Sequence, residues 1–198
     1  MPITADQVKQ LREMTGAGMM ECKKALADTG GDLEKAVDAL RKSGAAKADK
    51  RSGRSANEGR VEAYIHPGNR VGVLVEVNCE TDFVARTDEF GELVRNVAMQ
   101  VAAAGAEYVR REDVPAERVE RERGILAAQV EGSGKPAAIL EKIIEGKLGR
   151  FFAEVCLLEQ PYIRDDKRTV ADIVREAAAK TGENIVVRRF SRFRLGQD

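Results

Sequence analysis

The chain has 198 residues, with 33 lysines and arginines against 33 aspartates and glutamates, 5% aromatic residues and no tryptophan. That length buries a real core in one or two domains, and the zero formal charge argues against a general nucleic-acid binder driven by counterion release. Three cysteines without CxxC spacing, no secretory pattern at the start and no apolar run near the roughly 20 residues of a membrane span point to a reduced, cytoplasmic chain.

Thr4 and Gln7 make a Thr-x-x-Gln capping box, and Val8, Leu11 and Met14 then recur at helical spacing. Thr15-Gly16-Ala17-Gly18 stops that helix, because glycine takes the left-handed conformation of a C-cap. A second helix is expected from Met19 to Asp28. A third follows the Asp32 cap, with Leu33, Ala36, Val37 and Leu40 inward and Gly44 after it. Residues 1–50 thus read as a three-helix docking domain with a small core. Met19 and Met20 point about 100° apart on a helix. The pair suits either an adaptable docking patch or one core contact and one loop contact.

Residues 42–60 are basic and almost free of large apolar side chains, which reads as a mobile tether, with the linker proper at 51–60. Residues 61–198 form the second domain. Strands are predicted over 61–65 and 71–77, joined across Pro67-Gly68-Asn69, with Val71, Val73, Val75 and Val77 on one face. The stretch from Asn78 to Arg86 then passes from strand to helix and carries Phe83 on the connection. Phe83 either turns inward to staple the helix start or stands out as an apolar tip for a partner.

From Asp88 a helix presents Phe90, Leu93, Val94, Val97 and Val101 on one face. Pro115 opens another, broken at Gly132-Ser133-Gly134. Pro136 begins the most amphipathic stretch of all, with Ile139, Leu140, Ile143, Ile144, Leu148, Phe151, Phe152 and Val155. That helix is expected to lie across the sheet and supply most of the core. Thr169 starts a helix that ends near Gly182, and a last strand covers 184–195. Strict alternation there puts Val186, Arg188, Phe190, Arg192 and Arg194 on one face, either an RNA platform or an arginine-rich interface strand. The fold class is α+β: an antiparallel sheet with helices on one face, behind the helical bundle.

No active site assembles from these residues. His66 is the single histidine, and extended geometry puts it roughly 27 Å from Cys79. Gly16-Ala17-Gly18 is a turn rather than a phosphate loop, and Asp165-Asp166 reads as a surface turn. The expectation is a binding protein, not an enzyme, with no metal and no cofactor.

Leu11-Arg12-Glu13-Met14-Thr15-Gly16-Ala17-Gly18-Met19-Met20-Glu21-Cys22-Lys23-Lys24-Ala25-Leu26 resembles the N-terminal signature of bacterial elongation factor Ts, and Glu76-Val77-Asn78-Cys79-Glu80-Thr81-Asp82-Phe83-Val84-Ala85 resembles its second signature. Residues 140–165 and 184–196 are also similar to that family. The resemblance implies a guanine-nucleotide exchange factor for elongation factor Tu, the GTPase that delivers aminoacyl-tRNA to the ribosome. It implies a ubiquitin-associated-like N-terminal bundle that docks through Arg12, Met19, Met20 and Lys23. It also implies that Thr81, Asp82, Phe83 and Val84 intrude beside the magnesium site and promote GDP release by displacing magnesium and phosphate contacts. Longer members carry two sheet subdomains and a coiled-coil insertion. With one strand-helix set, this chain resembles the short form, which pairs two chains through the sheet. Ser191 leaves no thiol there for a covalent link.

Overall fold

A computed structural model describes residues 3–131, 133 and 136–197; Gly132 and Gly134, expected to help end a helix, lie outside the described residues. The fold is α+β, and its chain divides into two compact units. The first contains the chain up to Arg60, Val77–Leu93 and Asp172–Val186; the second contains Val61–Glu76, Val94–Ala171 and the chain from Val187.

In the first unit, α1 (Ala5–Thr15) opens on the capping box: Thr4 N–H donates to Gln7 Oε1 at 3.0 Å and Gln7 N–H donates to Thr4 Oγ1 at 3.3 Å. Gly16, at φ 67°, closes it. α2 (Met19–Asp28) follows, and Asp32 caps α3 (Leu33–Arg51) by accepting from Lys35 N–H at 3.1 Å. Leu11, Cys22, Leu26 and Ala36 are fully buried between the three helices.

The third helix departs from the tether reading of residues 42–60. It runs past Gly44 to Arg51, because Ala45, Ala46 and Ala48 are strong helix formers and Ala48 is buried. α8 (Val170–Thr181) lies within reach of it: Arg175 pairs with Asp49 at 3.4 Å, and the Arg51 guanidinium donates to the Ala178 carbonyl at 3.4 Å. A composition without large side chains still packs here, because small residues permit close approach. The Cβ that Gly44 lacks would stand 3.1 Å from Ala179 Cβ.

The sheet has the order β1-β2-β5, with β1 at Glu58–Ile65, β2 at Val71–Cys79 and β5 at Val186–Arg194. The hairpin turn uses Gly68 and Asn69 in the left-handed region, φ 91° and 55°, as the Pro-Gly-Asn signal predicts. Val73, Val75 and Val77 are buried, while Leu74, on the other face, is exposed. Gly59 is required where β1 starts: at φ 144°, an added Cβ would lie 2.1 Å from the Val77 carbonyl oxygen.

Burial along β5 alternates from Arg189 onward, with Phe190 and Arg192 half-buried between exposed neighbours; before it, Val187 is buried and Arg188 exposed. Arg189 is exposed and reaches Glu76 at 2.7 Å.

α5 (Asp88–Ala104) supplies the most deeply buried stripe, with Phe90, Val94, Val97 and Val101 at 1% exposure or less. α6 (Ala116–Val130) and α7 (Ala137–Val155) pack on each other instead. Ile144, Leu148, Phe152 and Val155 of α7 share a cluster with Leu126 of α6 and with Val114. Among the described residues, no strand residue joins that cluster, so the buried stripe of α7 is covered by α6 and the segment around Val114 rather than by the sheet as expected. Two amphipathic helices close in sequence satisfy each other's apolar faces first. Between α7 and α8, the short strands β3 (Pro161–Tyr162) and β4 (Asp165–Thr169) pair antiparallel where a plain surface turn was expected. The buried Gln100 of α5 anchors them: its amide donates to the Pro161 carbonyl at 3.1 Å and accepts from Ile163 N–H at 2.9 Å.

Candidate partner-docking site

β2 ends at Cys79, and the chain turns through Glu80 and Thr81 into the single-turn helix α4 (Asp82–Ala85). Thr81 is the N-cap, its hydroxyl accepting from Val84 N–H at 3.4 Å. Asp82 sits in the first turn, where a carboxylate meets the positive helix end, and pairs with Arg86 at 2.8 Å. Arg60 grips the far end, its Nε donating to the Ala85 carbonyl and its Nη2 to the Thr87 carbonyl. It fits because Gly91 has no side chain; a Cβ there would come within 2.4 Å of Arg60 Nη1.

Phe83 is 79% exposed on this braced turn. Ala85, not Phe83, is the residue that turns inward, and it is buried. Val84 and Asp82 are half-buried. Phe83 therefore does not staple the helix start; Ala85 and Phe90 are the buried side chains there.

Cys79 is fully buried beneath the turn, and its thiol donates to the Thr81 carbonyl at 3.1 Å. Burial, reinforced by the negative charge of Glu183, pushes its pKa above the ordinary thiol value. A protonated thiol is the form that donates this hydrogen bond, and the same shift makes Cys79 a poor nucleophile. His66 is engaged elsewhere, its Nδ1 lying 3.1 Å from the Tyr64 hydroxyl. Among the described residues, no group of three or more His, Cys, Asp or Glu side chains is placed to hold a metal ion.

The second exposed feature is the α1–α2 region of the same compact unit. Met19 is 59% and Met20 77% exposed at the start of α2, so neither fills the core; Leu11, Cys22 and Leu26 do. Arg12 and Lys23 are exposed as well. Met14, expected in the apolar stripe of α1, is also exposed. α2 is held in place at its start, where Glu21 accepts from Gly18 N–H at 3.4 Å and pairs with Lys47 of α3. The hydrogen bond from Lys47 holds the Glu21 carboxyl below its ordinary value.

Sequence reasoning named the exposed residues but not their supports. Glu183 accepts from Glu80 N–H at 3.0 Å, from Thr81 N–H at 3.1 Å and from the Thr81 hydroxyl at 2.6 Å. The available signal was local: Thr181-Gly182-Glu183-Asn184 places two polar side chains directly after a glycine C-cap, and Gly182 takes φ 76°. The distance in sequence to Thr81 hid the contact.

Adaptable methionines on one helix end and a lone aromatic on a rigid capped turn are features suited to contact with another macromolecule. The family model described as Elongation factor TS matches residues 20–197. The elongation factor Ts of Carboxydothermus hydrogenoformans is 61% identical over 195 residues, covering 98% of this chain and 90% of that protein. That of Caldanaerobacter subterraneus is 58% identical, covering 98% of each. That of Geobacter sulfurreducens is 57% identical over 197 residues, covering 100% and 91%. The chain belongs to the elongation factor Ts family, the nucleotide-exchange factors that serve elongation factor Tu in translation elongation.

Proposed function

We propose that this chain promotes GDP release from elongation factor Tu by inserting Phe83 between elements of the GTPase, displacing its magnesium and phosphate contacts. Thr81, Asp82 and Val84 form the stiff mount of the ring. Arg12, Met19, Met20 and Lys23 anchor the GTPase through residues 1–50, which the basic segment 51–60 joins to the core and dimerisation domain, 61–198. The observation that carries the reading is the 79% exposure of Phe83 on a turn whose polar groups are held by Arg60, Arg86 and Glu183. A large apolar side chain kept in water on so rigid a support is poised to be buried by a partner.

The physics is negative coupling between two ligands of one GTPase. If the inserted ring is compatible only with a GTPase conformation that has lost its magnesium contacts, GDP weakens the exchange factor as much as the exchange factor weakens GDP. No bond is made or broken by this chain, and the proposal needs no cofactor and no nucleic-acid contact. The site of action is the cytoplasm. Among the described residues, no helix is long and apolar enough to cross a membrane.

We further propose that the chain works as a homodimer joined through the outer face of its sheet. Val61, Ile65, Leu74, Phe193 and Leu195 are each between 48% and 69% exposed in the second unit, where water would otherwise meet a row of large apolar side chains. The acceleration of labelled GDP release from elongation factor Tu tests the exchange reading: catalytic amounts of this chain are expected to speed release, and unchanged release refutes it.

A further inference from the structure

The turn that carries Phe83 is held from one side by a dipeptide with no assigned role. Gly182, at φ 76°, ends α8 and turns the chain so that Glu183 and Asn184 face Glu80 and Thr81. Glu183 receives three donors, two backbone N–H groups and the Thr81 hydroxyl, at 2.6 to 3.1 Å. The same Thr81 hydroxyl caps α4. Asn184 is buried and works in the opposite direction: its N–H donates to the Glu80 carboxylate at 2.6 Å, while its side-chain amide donates to the Arg54 carbonyl at 2.8 Å and to the Ser52 carbonyl at 3.3 Å. Ser52 immediately follows α3, the last helix of the docking bundle.

One junction thus joins the exit of the docking helices to the mount of the exposed ring, all within a single compact unit. We propose that Glu183 is a positioning residue for exchange: it fixes the Thr81 cap, and through it the direction of Phe83, relative to the docking helices, with Asn184 locking the same junction to α3. This inference rests on the exchange reading and adds the device that makes anchoring and insertion a single event. A partner gripped by α1 and α2 then meets the ring already oriented. Without the clamp, the ring samples directions and the anchoring free energy is not transmitted to the nucleotide site.

The chemistry of the clamp explains why a carboxylate stands there. Two backbone N–H groups and a hydroxyl are all donors toward it, and an anion accepts all three with charge-assisted strength. A hydrogen bond to a charged group shifts an equilibrium by about tenfold or more, so three directed at one turn leave little freedom in it.

The test measures release of fluorescent GDP from elongation factor Tu across a range of concentrations of full-length Glu183→Ala, Glu183→Gln and Phe83→Ala, with the double variant Phe83→Ala/Glu183→Gln. Glu183→Ala is expected to lower the maximal release rate by about tenfold while the half-saturating concentration, set by the docking helices, moves less than about twofold. Glu183→Gln keeps one oxygen for the backbone donors and recovers part of the rate. In the Phe83→Ala background, Glu183→Gln is expected to change nothing further, because the residue acts through the ring. Amide exchange at Glu80 and Thr81 in the isolated chain is expected to speed up in either Glu183 variant. A maximal rate within twofold of the parent for Glu183→Ala overturns the proposal. So does an effect of Glu183→Gln that persists undiminished without Phe83. Should Glu183→Ala fail to fold, Glu183→Gln and the double variant decide the question alone. Failure of the parent chain itself to accelerate release overturns the exchange reading instead, and the amide-exchange result then still reports whether the clamp exists.

Discussion

Replacing Phe83 with alanine separates what this side chain does for its own fold from what it does for a partner. The ring is 79% exposed, and Thr81, Arg60 and Ala85 brace the turn without it. Its loss should therefore change the stability of the isolated chain by about 0.5 kcal/mol or less, as for an ordinary surface substitution. Insertion into a GTPase buries that ring, and full burial of a phenylalanine stabilises by about 2–3 kcal/mol. Because the gain exists only in the nucleotide-displaced conformation, it acts on GDP release and not on initial docking. The expected loss in maximal release rate is about 30- to 150-fold. Stopped-flow release of a fluorescent GDP from elongation factor Tu measures it, and thermal unfolding of the same preparation controls for folding. A folded Phe83→Ala variant that still accelerates release to within about threefold of the parent refutes the reasoning, since the ring would then contribute no coupling.

Other consequences are open to direct measurement. Leu74→Asp places a charge in the centre of the apolar sheet face and is expected to reduce the chain to single-copy mass by light scattering without unfolding it; an unchanged dimer mass rules out that face. Gly59→Ala forces a Cβ against the Val77 carbonyl at a φ that side chains avoid, and should destabilise by about 2 kcal/mol or more in denaturant unfolding. The hydrogen bond from Arg118 holds the Glu107 carboxyl below its ordinary value. The stabilisation this pair gives is therefore present above the unfolded pKa of about 4.3 and is lost as pH falls through the lower folded value. The melting-temperature gap between the parent and Arg118→Met should narrow as pH drops from about 5 to about 3, and a constant gap contradicts the assignment.

Local chemistry made much of this protein readable before its structure. The Thr4–Gln7 box, the Asp32 cap and the Pro-Gly-Asn hairpin turn each depend on a few neighbouring atoms, and each appears where the residues put it. What the sequence did not reveal depends on partners distant along the chain. Residues 42–51 look like a tether because their side chains are small and charged; whether small residues make a tether or a closely packed helix depends on whether something such as Ala178 or Ala179 waits alongside. Which arginine of β5 finds a partner is invisible to a period-2 pattern. Alternation counts residues, whereas Arg189 is engaged by Glu76 of the neighbouring strand. The stripe of α7 was recognised, but an apolar stripe does not name the surface that covers it, and α6 took that place. Within the candidate site, the exposed tips were legible as motif residues, while Glu183 was not, since a lone carboxylate after a glycine carries no mark of the three donors it will meet 102 and 103 residues away.

The unbroken course of α3 to Arg51 bears on how this family can change length. A loose connector absorbs an added residue with no effect on direction, but each residue inserted into a helix turns everything before it by about 100° and shifts it by about 1.5 Å. Insertions between Leu40 and Arg51 would swing Met19 and Met20 around the axis relative to the ring at Phe83. Only gains or losses that sum close to whole turns keep both pointed at the same client, so variation in this segment should come in steps of about seven residues, or two full turns.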